Sequence, residues 1–395
     1  MSGAGVRSAV IRGIGQSAVG RRLGRSGLDL SVEAAVEAIA DAGLEPADID
    51  GIATYPGGGF AAQPGFAGPG AVEVQDAMRL SVDWYSGSGE GPGQLQCLVN
   101  ACMAVSTGLA SNVLVYRTVT EATEQVGGRG AAVTNPVVGG PLEWLMPFGS
   151  ISAVHWLGIV ANRYVTEYGL TREQLGQVAL NARRNAALNP KAIYRDPLTL
   201  EDYLAARMIS TPLCLFDCDV PADGSTAFVV SHVDAAADAR HAPVHVNAVG
   251  TALRGRPSWD QWDSPTRTAM HYAGQSLWER TELTPADVDV AQLYDGFSML
   301  TVLWLEALGF CGEGEAGAFL ADGTAIGLDG ALPLNTAGGQ LSAGRLHGLG
   351  LVHEACLQLR GQAGERQVPG RHEVAAVSNG GGPIGGAMLL TADVR

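Results

Sequence analysis

The sequence predicts a layered α/β protein, and three observations support this. Short apolar segments of strand-like composition alternate with segments of helical spacing along the 395-residue chain. The second half repeats the order of the first (strand, Gly-rich turn, helix, buried strand), although the identity between the halves is too low to show a repeat by pattern alone. The 54 glycines fall in clusters, which mark places where the backbone closely approaches another backbone or a ligand.

The first half is predicted to open with a strand at 8–14 and a helix at 29–43. Ser31 is the predicted N-cap of that helix, because its hydroxyl can accept from a free amide, and Gly43 is the predicted stop. The alternation continues with a strand at 48–56, a Gly- and Pro-rich loop at 56–70, a helix at 95–110 and a buried strand at 111–119.

A mostly helical stretch at 150–190 and a strand at 217–231 complete the first half. A linker at 236–245 marks the predicted boundary, so the chain divides into residues 1–235 and 236–395. The second half is predicted to contain a strand at 244–253, a strand and helix at 288–309, a helix at 346–361 and closing strands at 373–392.

The composition excludes several classes of function and location. The net charge of −15 and the pI of about 4.9 argue against a nucleic acid partner, which needs a basic face. The six cysteines show neither a Cys-x-x-Cys pair nor zinc spacing with histidine, so no metal site is predicted. The N-terminus lacks the apolar core of a signal peptide, and no apolar run approaches the ~18 residues of a membrane helix. We therefore expect a cytoplasmic protein that does not bind membranes.

Four groups of segments line up in one order along the chain. They are NARRNAALNP with the stretch 194–230, then AQLYDGFSM, then NTAGGQLSAG with QLRGQAGERQV, and last VSNGGGPIGGAMLL. In this order they resemble the thiolase superfamily, specifically the sterol carrier protein X-type thiolases and their lipid-transfer-protein relatives. The resemblance spans nearly the whole chain.

The resemblance implies a fold and an assembly. The fold would be the thiolase fold, with two similar βαβαβαββ halves in five layers, two five-stranded mixed sheets around a buried helix layer, and a covering loop domain at about 115–235. The substrate would be an acyl-CoA, with no cofactor. The assembly would be a homodimer with its interface near the strand 111–119, joined by a small OB-fold protein with a zinc ribbon in a heterotetramer. Any zinc would then lie in that partner.

The nucleophilic cysteine that opens the buried helix of thiolases is missing. Counting back about 17 residues from the Gly108–Ala110 helix end reaches residues 89–91, which read Gly-Glu-Gly. Gly91 is therefore predicted to line the substrate site without supplying a thiolate. Cys97 and Cys102 lie inside an apolar helix and are predicted to be core cysteines, because thiolates gain reactivity at helix N-termini. Ping-pong thiolysis is not expected, because it needs an acyl-enzyme.

Two glycine-rich loops are predicted to bind substrate. Gly338 and Gly339 belong to the Asn-x-x-Gly-Gly stretch of the family, and Ser378 stands where the family has its second cysteine. Gly381 and Gly382, after Ser378, are either a tight turn or a backbone wall against the substrate thioester.

The Tyr294-Asp295-Gly296-Phe297 segment matches the thiolase segment that helps to bind the thioester oxygen. On composition alone Tyr294 is a core residue at a strand end, because aromatic residues are common in strands. The family position favours a site role for Tyr294 and Asp295. The missing cysteine and the Tyr-Asp-x-Phe pattern together resemble the branch of retro-aldolases that act in steroid side-chain degradation.

Arg345 stands where thiolases have a histidine and where that aldolase branch tends to have a tyrosine. Tyr294 is the first candidate for the base, which requires that its pKa of about 10 be lowered. Arg345 is the cation in the two loops that could do so. His347 is either a helix-start residue or a donor to the thioester oxygen, and His155 is a further candidate pocket residue.

Claisen cleavage and retro-aldol cleavage share the enolate of an acyl-CoA, but only thiolysis also needs a nucleophile. Loss of the cysteine with retention of the oxyanion loops therefore predicts a carbon–carbon lyase that cleaves a steroid side-chain-like β-hydroxyacyl-CoA to a ketone or aldehyde and a shorter acyl-CoA. Two alternatives stay open: a catalytically silent subunit that binds acyl-CoA or scaffolds a complex, and an acyltransferase that works without cysteine.

Overall fold

The structure is a computed structural model that describes residues 8–55, 64–87, 94–126, 142–150, 152–254, 264 and 266–393. Its strands are β1 Ala9–Gln16, β2 Gly51–Thr54, β3 Trp84–Gly87, β4 Asn112–Thr120, β5 Met208–Ser210, β6 Leu213–Cys214, β7 Asp223–His232, β8 Val244–Leu253, β9 Val290–Gln292, β10 Val374–Gly381 and β11 Ile384–Thr391. Its helices are α1 Gly27–Asp41, α2 Ala71–Met78, α3 Leu95–Ser106, α4 Glu121–Glu124, α5 Leu142–Leu145, α6 Ala153–Tyr168, α7 Arg172–Ala187, α8 Leu200–Ala205, α9 Ala269–Trp278, α10 Ser298–Ala307, α11 Ala316–Leu320 and α12 Leu349–Leu359.

The main sheet shows that the chain consists of two similar halves. Its strand order is β3-β2-β4-β7-β1-β8-β11-β10-β9. Outward from the central β1–β8 pair, the order β7, β4, β2 on one side corresponds to β11, β10, β9 on the other. The parallel pairs match as well, because β2 runs parallel to β4 and β9 runs parallel to β10. The predicted repeat of the two halves is therefore confirmed at the level of strand order.

The hydrogen bonding of the sheet differs from the two separate sheets that were expected. A short antiparallel contact, in which Val10 pairs with His245 and Ile11 with Val244, joins the halves into one nine-stranded sheet. The described residues of the second half form four strands, and a parallel bridge from Leu334 to Ala291 stands where the first half has β3.

The layers follow from the alternation of side chains along the strands. In β4, Val113 and Val115 point to a central core that contains α3 and α12, whereas Leu114 and Tyr116 point to an outer core with α1. The other face of the second half packs against α9 and α10. The predicted five layers are therefore present, with α3 and α12 between the two halves of the sheet.

Matching glycines let a helix lie directly on the sheet in each half. A Cβ on Gly13 of β1 would lie 2.2 Å from the carbonyl oxygen of Ala38 in α1. A Cβ on Gly250 of β8 would lie 2.1 Å from the carbonyl oxygen of Ala273 in α9. Because β1 and β8 are equivalent in the strand order, the same close approach holds each half together.

The start of α1 corrects one prediction. The helix begins at Gly27, and its N-cap is Ser26, whose side chain accepts from the amide of Asp29 at 3.0 Å. Ser31 is buried inside the helix and donates to the carbonyl of Gly27 at 2.8 Å. Gly43 follows the helix with a φ of +68°, which agrees with its predicted role as a stop.

The covering segment runs between two neighbouring strands of the first half. β4 continues to Thr120 and β7 begins at Asp223, so the insertion predicted over about 115–235 spans residues 121–222. β4 pairs with β2 on one side and β7 on the other, which places it inside the sheet. Both hydrogen-bonding edges of β4 are therefore paired within the chain, and its predicted position near a dimer interface stays a prediction.

None of the helices in the described ranges is both long and apolar enough to cross a lipid bilayer.

Candidate functional site

A pocket of about 300 Å³ lies at the carboxyl ends of strands from both halves. Tyr55 follows β2, Glu121 follows β4, Tyr294 lies two residues after β9, and Asn379 lies near the end of β10. Carboxyl ends of parallel strands are the usual place for ligands in α/β sheets. The other lining residues are Phe66, Gln94, Ala153, Leu157, Asp219, Gly296, Phe297, Leu300, Arg345, His347, Gly380, Gly381 and Ile384.

Three of the predicted catalytic residues come together in this pocket. Tyr294, Arg345 and His347 all line it, although Tyr294 is separated from the other two by about 50 positions in the chain. Gly381 also lines the pocket, as predicted for a backbone wall. Gly91 lies outside the described residues.

Ser378 supports Tyr294 from behind rather than lining the pocket. Its hydroxyl accepts a hydrogen bond from the backbone amide of Tyr294 at 3.0 Å, and the side chain is fully buried. Ser378 thus fixes the Tyr294 backbone, and its predicted contact with substrate stays a prediction.

Asp295 and the two glycines of the 338–339 stretch build a loop behind the pocket. The fully buried Asp295 carboxylate accepts from the amide of Gln340 at 2.9 Å. A Cβ on Gly339 would lie 1.9 Å from Asp295 Oδ2, and a Cβ on Gly338 would lie 2.5 Å from the Cβ of Ala186 in α7. Asp295, Gly338 and Gly339 do not line this pocket, and their predicted contact with substrate stays a prediction.

Gly382 occupies the turn between β10 and β11 and does not line the pocket. Its φ is +62°, which L side chains rarely adopt, and its carbonyl accepts from the amide of Ala269 at 3.2 Å. The tight-turn interpretation therefore describes Gly382, whereas the wall interpretation describes Gly381.

Arg345 is a buried cation with a carboxylate on each side. Its Nε donates to Glu121 Oε2 at 2.8 Å, and its Nη1 donates to Asp219 Oδ1 at 2.9 Å. The side chains are 4% exposed for Arg345, 0% for Glu121 and 8% for Asp219. His347 Nε2 lies 3.1 Å from the same Glu121 oxygen. Glu121 therefore holds both Arg345 and His347 in place.

His347 is held in a strained backbone conformation by two further contacts. Its φ of +54° lies in the left-handed region, which is costly for a residue with a Cβ. Asn379 Nδ2 donates to its carbonyl at 3.3 Å, and the ring of Phe66 packs edge-on at 4.8 Å between centroids. Backbone strain of this kind persists only where the surroundings hold it, and such strain is often found at functional sites.

The Tyr294 hydroxyl is protonated at neutral pH. Burial raises its pKa above the ordinary value of a phenol, and the negative charge of Asp219 raises it further. The charge of Arg345 is taken up by two carboxylates, so it does not lower the pKa of Tyr294 as predicted. Tyr294 is therefore suited to donate a hydrogen bond rather than to act as a phenolate base.

The cysteines near the pocket are inert. Cys97 lies within the first turn of α3, its thiol donates to the carbonyl of Gln94 at 3.0 Å, and burial raises its pKa to about 12. Burial also raises the pKa of Cys102 to about 12. Both are core residues, as expected. His155 accepts from the Ser152 amide at the start of α6 and does not line the pocket.

Of the pocket residues that sequence reasoning missed, Asp219 and Glu121 are the charged ones. Asp219 lies in the Asp-Cys-Asp-Val-Pro-Ala-Asp-Gly stretch. The three aspartates within these eight residues were the available signal of a functional site. Glu121 follows β4, and nothing in the sequence distinguishes it from a surface glutamate. Its contacts with Arg345 and His347 become visible only in the folded chain.

Comparison with known proteins agrees with this architecture. Residues 253–390 match the family described as thiolase C-terminal domain-like. The chain is 36% identical over 394 residues to the steroid side-chain-cleaving aldolase of Thermomonospora curvata, with 98% of both chains covered.

The chain belongs to the thiolase superfamily.

Other members of the superfamily show where in it the chain lies. A 17-hydroxy-3-oxo-4-pregnene-20-carboxyl-CoA lyase of Mycobacterium tuberculosis is also 36% identical, over 96% of this chain and 98% of that one. An acetyl-CoA acetyltransferase of Methanothermobacter thermautotrophicus is 30% identical over 97% of this chain and 99% of that one. The solved structure named Ltp2-ChsH2(DUF35) aldolase superposes with a TM-score of 0.85 at 34% identity, and covers 98% and 99% of the two chains. The chain is thus a thiolase-superfamily member of the branch that includes these aldolases.

Replacing Arg345 by Met should destabilise the protein strongly. The change leaves Glu121 and Asp219 buried without their cation, and breaking a buried ion pair in this way typically costs roughly 3–5 kcal/mol in the free energy of unfolding. Chemical denaturation followed by fluorescence measures the loss. Adding Glu121→Gln to the same chain should recover part of it.

The matched control is Arg267→Met, which breaks an ion pair with Glu313 whose side chains are 57% and 46% exposed. It should change the free energy of unfolding by at most about 1 kcal/mol. A variant at Arg345 as stable as this control, or a double variant no better than the single one, would contradict the cluster as described.

Proposed function

We propose that the chain is a carbon–carbon lyase that cleaves a β-hydroxyacyl-CoA by a retro-aldol reaction. The observation that carries this proposal is a thiolase-type pocket with no cysteine among its described lining residues, beside a helix α3 whose Cys97 and Cys102 are buried with pKa values raised to about 12. The full-length identity of 36% to two relatives named as an aldolase and a CoA lyase supports the same reaction.

The reaction requires no covalent intermediate. A base takes the proton of the β-hydroxyl, the Cα–Cβ bond breaks, and the β-carbon becomes the carbonyl of a ketone or aldehyde. The electron pair passes to the thioester as an enolate, whose oxygen must be stabilised by preorganised donors. Protonation of the α-carbon then releases the shorter acyl-CoA.

Tyr294 and His347 are the proposed donors to the thioester oxygen. The Tyr294 hydroxyl is protonated, as shown above, and its backbone is fixed by Ser378. Because His347 Nε2 faces Glu121, its contact with substrate would come from Nδ1. Arg345 is assigned a positioning role, because both of its described ion pairs are to protein carboxylates.

The substrate is proposed to be a steroid side-chain-like acyl-CoA. One wall of the pocket is apolar and comes from Leu157, Phe297, Leu300 and Ile384, and Phe66 closes it near His347. Apolar walls with a few converging polar groups are typical of sites for large apolar ligands. The polar groups stand together at Tyr294, which places the reacting carbons beside that hydroxyl.

Incubation with 17-hydroxy-3-oxo-4-pregnene-20-carboxyl-CoA tests the proposed reaction. Mass spectrometry should detect a steroid ketone and a shorter acyl-CoA in equal amounts. In parallel, acetoacetyl-CoA and free CoA should give no thiolysis, because no acyl-enzyme can form on the buried cysteines. Binding without cleavage would favour the silent subunit, and an acyl group trapped on Cys97 or Cys102 would favour an acyltransferase.

Tyr294→Phe should reduce cleavage while leaving acyl-CoA binding nearly intact. The hydroxyl is the donor that the change removes, and loss of one preorganised oxyanion donor costs roughly 10²–10³ in rate. The phenyl ring keeps its packing against both cores. Steady-state kinetics and calorimetric titration of an acyl-CoA measure the two quantities. Unchanged turnover in this variant would remove Tyr294 from the mechanism.

We further propose that two copies associate through β3, with one small OB-fold partner on each. Among the described strands β3 pairs only with β2, so its outer edge has free backbone groups. Tyr85 on β3 is 73% exposed and Val72 on the adjoining α2 is 76% exposed, which gives this edge an apolar surface. The name of the Ltp2-ChsH2(DUF35) aldolase structure, which couples two proteins, supports a partner.

Tyr85→Glu should convert a dimer into a monomer. A charge at the centre of a strand-to-strand contact opposes pairing, because it would be buried without a partner. Light scattering coupled to size exclusion should give twice the chain mass of 40.8 kDa for the wild type and that mass for the variant. Val36→Glu, at a site 52% exposed on α1, serves as control and should stay dimeric. A monomeric wild type would refute the interface.

A further inference from the structure

The segment that carries Asp219 is tied on both sides to the loops of the pocket. Cys218 pairs with Phe297 in an isolated antiparallel β-bridge, and the Asp219 amide donates to the carbonyl of Gly296 at 3.2 Å. On the other side, the amide of Arg345 donates to the carbonyl of Val220 at 2.7 Å. Asp219 is therefore fixed between the Tyr294–Phe297 segment and Arg345.

The Asp219 carboxylate lines the pocket at the reacting end. It shares that wall with Tyr294 and Gly296, and Arg345 Nη1 holds its Oδ1 at 2.9 Å. Of the charges that act on the Tyr294 phenol, that of Asp219 has the largest effect. A substrate whose thioester oxygen meets the Tyr294 hydroxyl would therefore place its β-carbon near Asp219.

The choice between a phenolate and a carboxylate as base follows from their populations. At pH 7 a phenol with an ordinary pKa of about 10 is ionised in about 1 molecule in 1,000, and the burial of Tyr294 lowers that fraction. An aspartate beside an arginine is fully ionised at the same pH. General-base rates follow only a fraction of the pKa difference, so the carboxylate gains the advantage as burial raises the pKa of the phenol further above neutral pH.

We propose that Asp219 is the general base that takes the β-hydroxyl proton in the retro-aldol reaction, an inference that rests on the proposed function. Asp219 accepts the proton as the Cα–Cβ bond breaks, and the resulting carboxylic acid returns it to the α-carbon of the enolate. One proton moves from oxygen to carbon and one carbon–carbon bond is exchanged for a C=O π bond. The step needs no oxidant, reductant or second substrate.

The charged and titratable groups around Asp219 come from several elements. Arg345 pairs with it from the loop before α12, and its charge acts on Tyr294 in the loop after β9. Glu121 of α4 pairs with Arg345 and His347 in the same cluster, and Asp295 and Glu121 also act on Tyr294. Arg117 of β4 is a second buried cation, whose pKa burial lowers to about 10 and the charge of Glu121 raises in part. The charges of the two arginines thus balance those of the two carboxylates Asp219 and Glu121.

The wild-type pH–rate profile is the first test, because it needs no variant. With 17-hydroxy-3-oxo-4-pregnene-20-carboxyl-CoA as probe and the full-length chain with its co-expressed partner, kcat/KM should be flat between about pH 6.5 and 8.5 if a carboxylate is the base. A phenolate base predicts a rise of about tenfold per pH unit over the same range. Such a rise would overturn the proposal. No cleavage at any pH would instead refute the proposed function.

Asp219→Asn is the second test. It should lower turnover roughly 10²–10⁴-fold. Its residual rate should rise with pH, because hydroxide then replaces the missing base. Asp219→Glu keeps the carboxylate and should recover at least about tenfold of that loss. A purely structural role of Asp219 predicts instead that Asp219→Asn has a reduced rate with the wild-type pH–rate profile, and that Asp219→Glu does not restore the rate. That result would overturn the proposal.

Asp217→Asn is the matched control, two residues away. The Asp217 carboxylate is fully buried but accepts from the amide of Cys214 and the hydroxyl of Tyr203, both at 2.8 Å, and does not line the pocket. This variant should keep the wild-type cleavage rate and the wild-type pH–rate profile. An equal loss of rate in both variants would show a general effect of disturbing the 217–219 segment and would contradict a specific role for Asp219.

Discussion

Arg345 lies between two carboxylates, Glu121 on one side and Asp219 on the other, and the pocket depends on this contact. Glu121 comes from the first half of the chain just after β4, Asp219 from the end of the insertion, and Arg345 from the second half. Through Glu121 the same cluster holds His347, and the charge of Asp219 adds to burial in raising the pKa of Tyr294. One buried ion cluster thus connects three parts of the fold and helps to keep the Tyr294 phenol protonated.

The fold brings these groups together because equivalent strands of its two halves end at one place. Glu121 follows β4 and Asn379 lies near the end of β10, and β4 and β10 occupy equivalent positions in the strand order. Glycines keep the supporting layers close, as where Gly339 lets the Asp295 carboxylate approach its loop. A duplicated fold of this kind presents a polar pocket where its halves meet. The reaction then depends on which side chains stand at the strand ends.

Much of the architecture could be predicted from the sequence, because it depends on local pattern. The strand predicted at 244–253 coincides with β8, and Gly43 ends α1 as expected. The predicted N-cap of α1 was wrong because Ser31 and Ser26 are both plausible caps in the sequence. Only the folded chain shows that Ser26 caps the helix, whereas Ser31 is buried and hydrogen-bonded to Thr118. The identity of three pocket residues was also predictable, since Tyr294, Arg345 and His347 stand in family positions.

The electrostatics of the site could not be predicted in the same way. The partners of Arg345 lie 224 and 126 positions away in the chain, so their charges became visible only after folding. Without them Arg345 looks like a free cation beside a phenol, whereas with them it supports a base and leaves the phenol protonated.

The ionisation state of the Tyr294 phenol tests this account most directly. Tyrosines labelled with ¹³C at Cζ can be followed by NMR during a pH titration, and comparison with Tyr294→Phe assigns one of the nine signals. The account predicts that the Tyr294 signal keeps its protonated position up to pH 9 and titrates only above about pH 10. A midpoint at or below about pH 8 would show that a cation does lower the pKa of Tyr294, and would contradict the central claim.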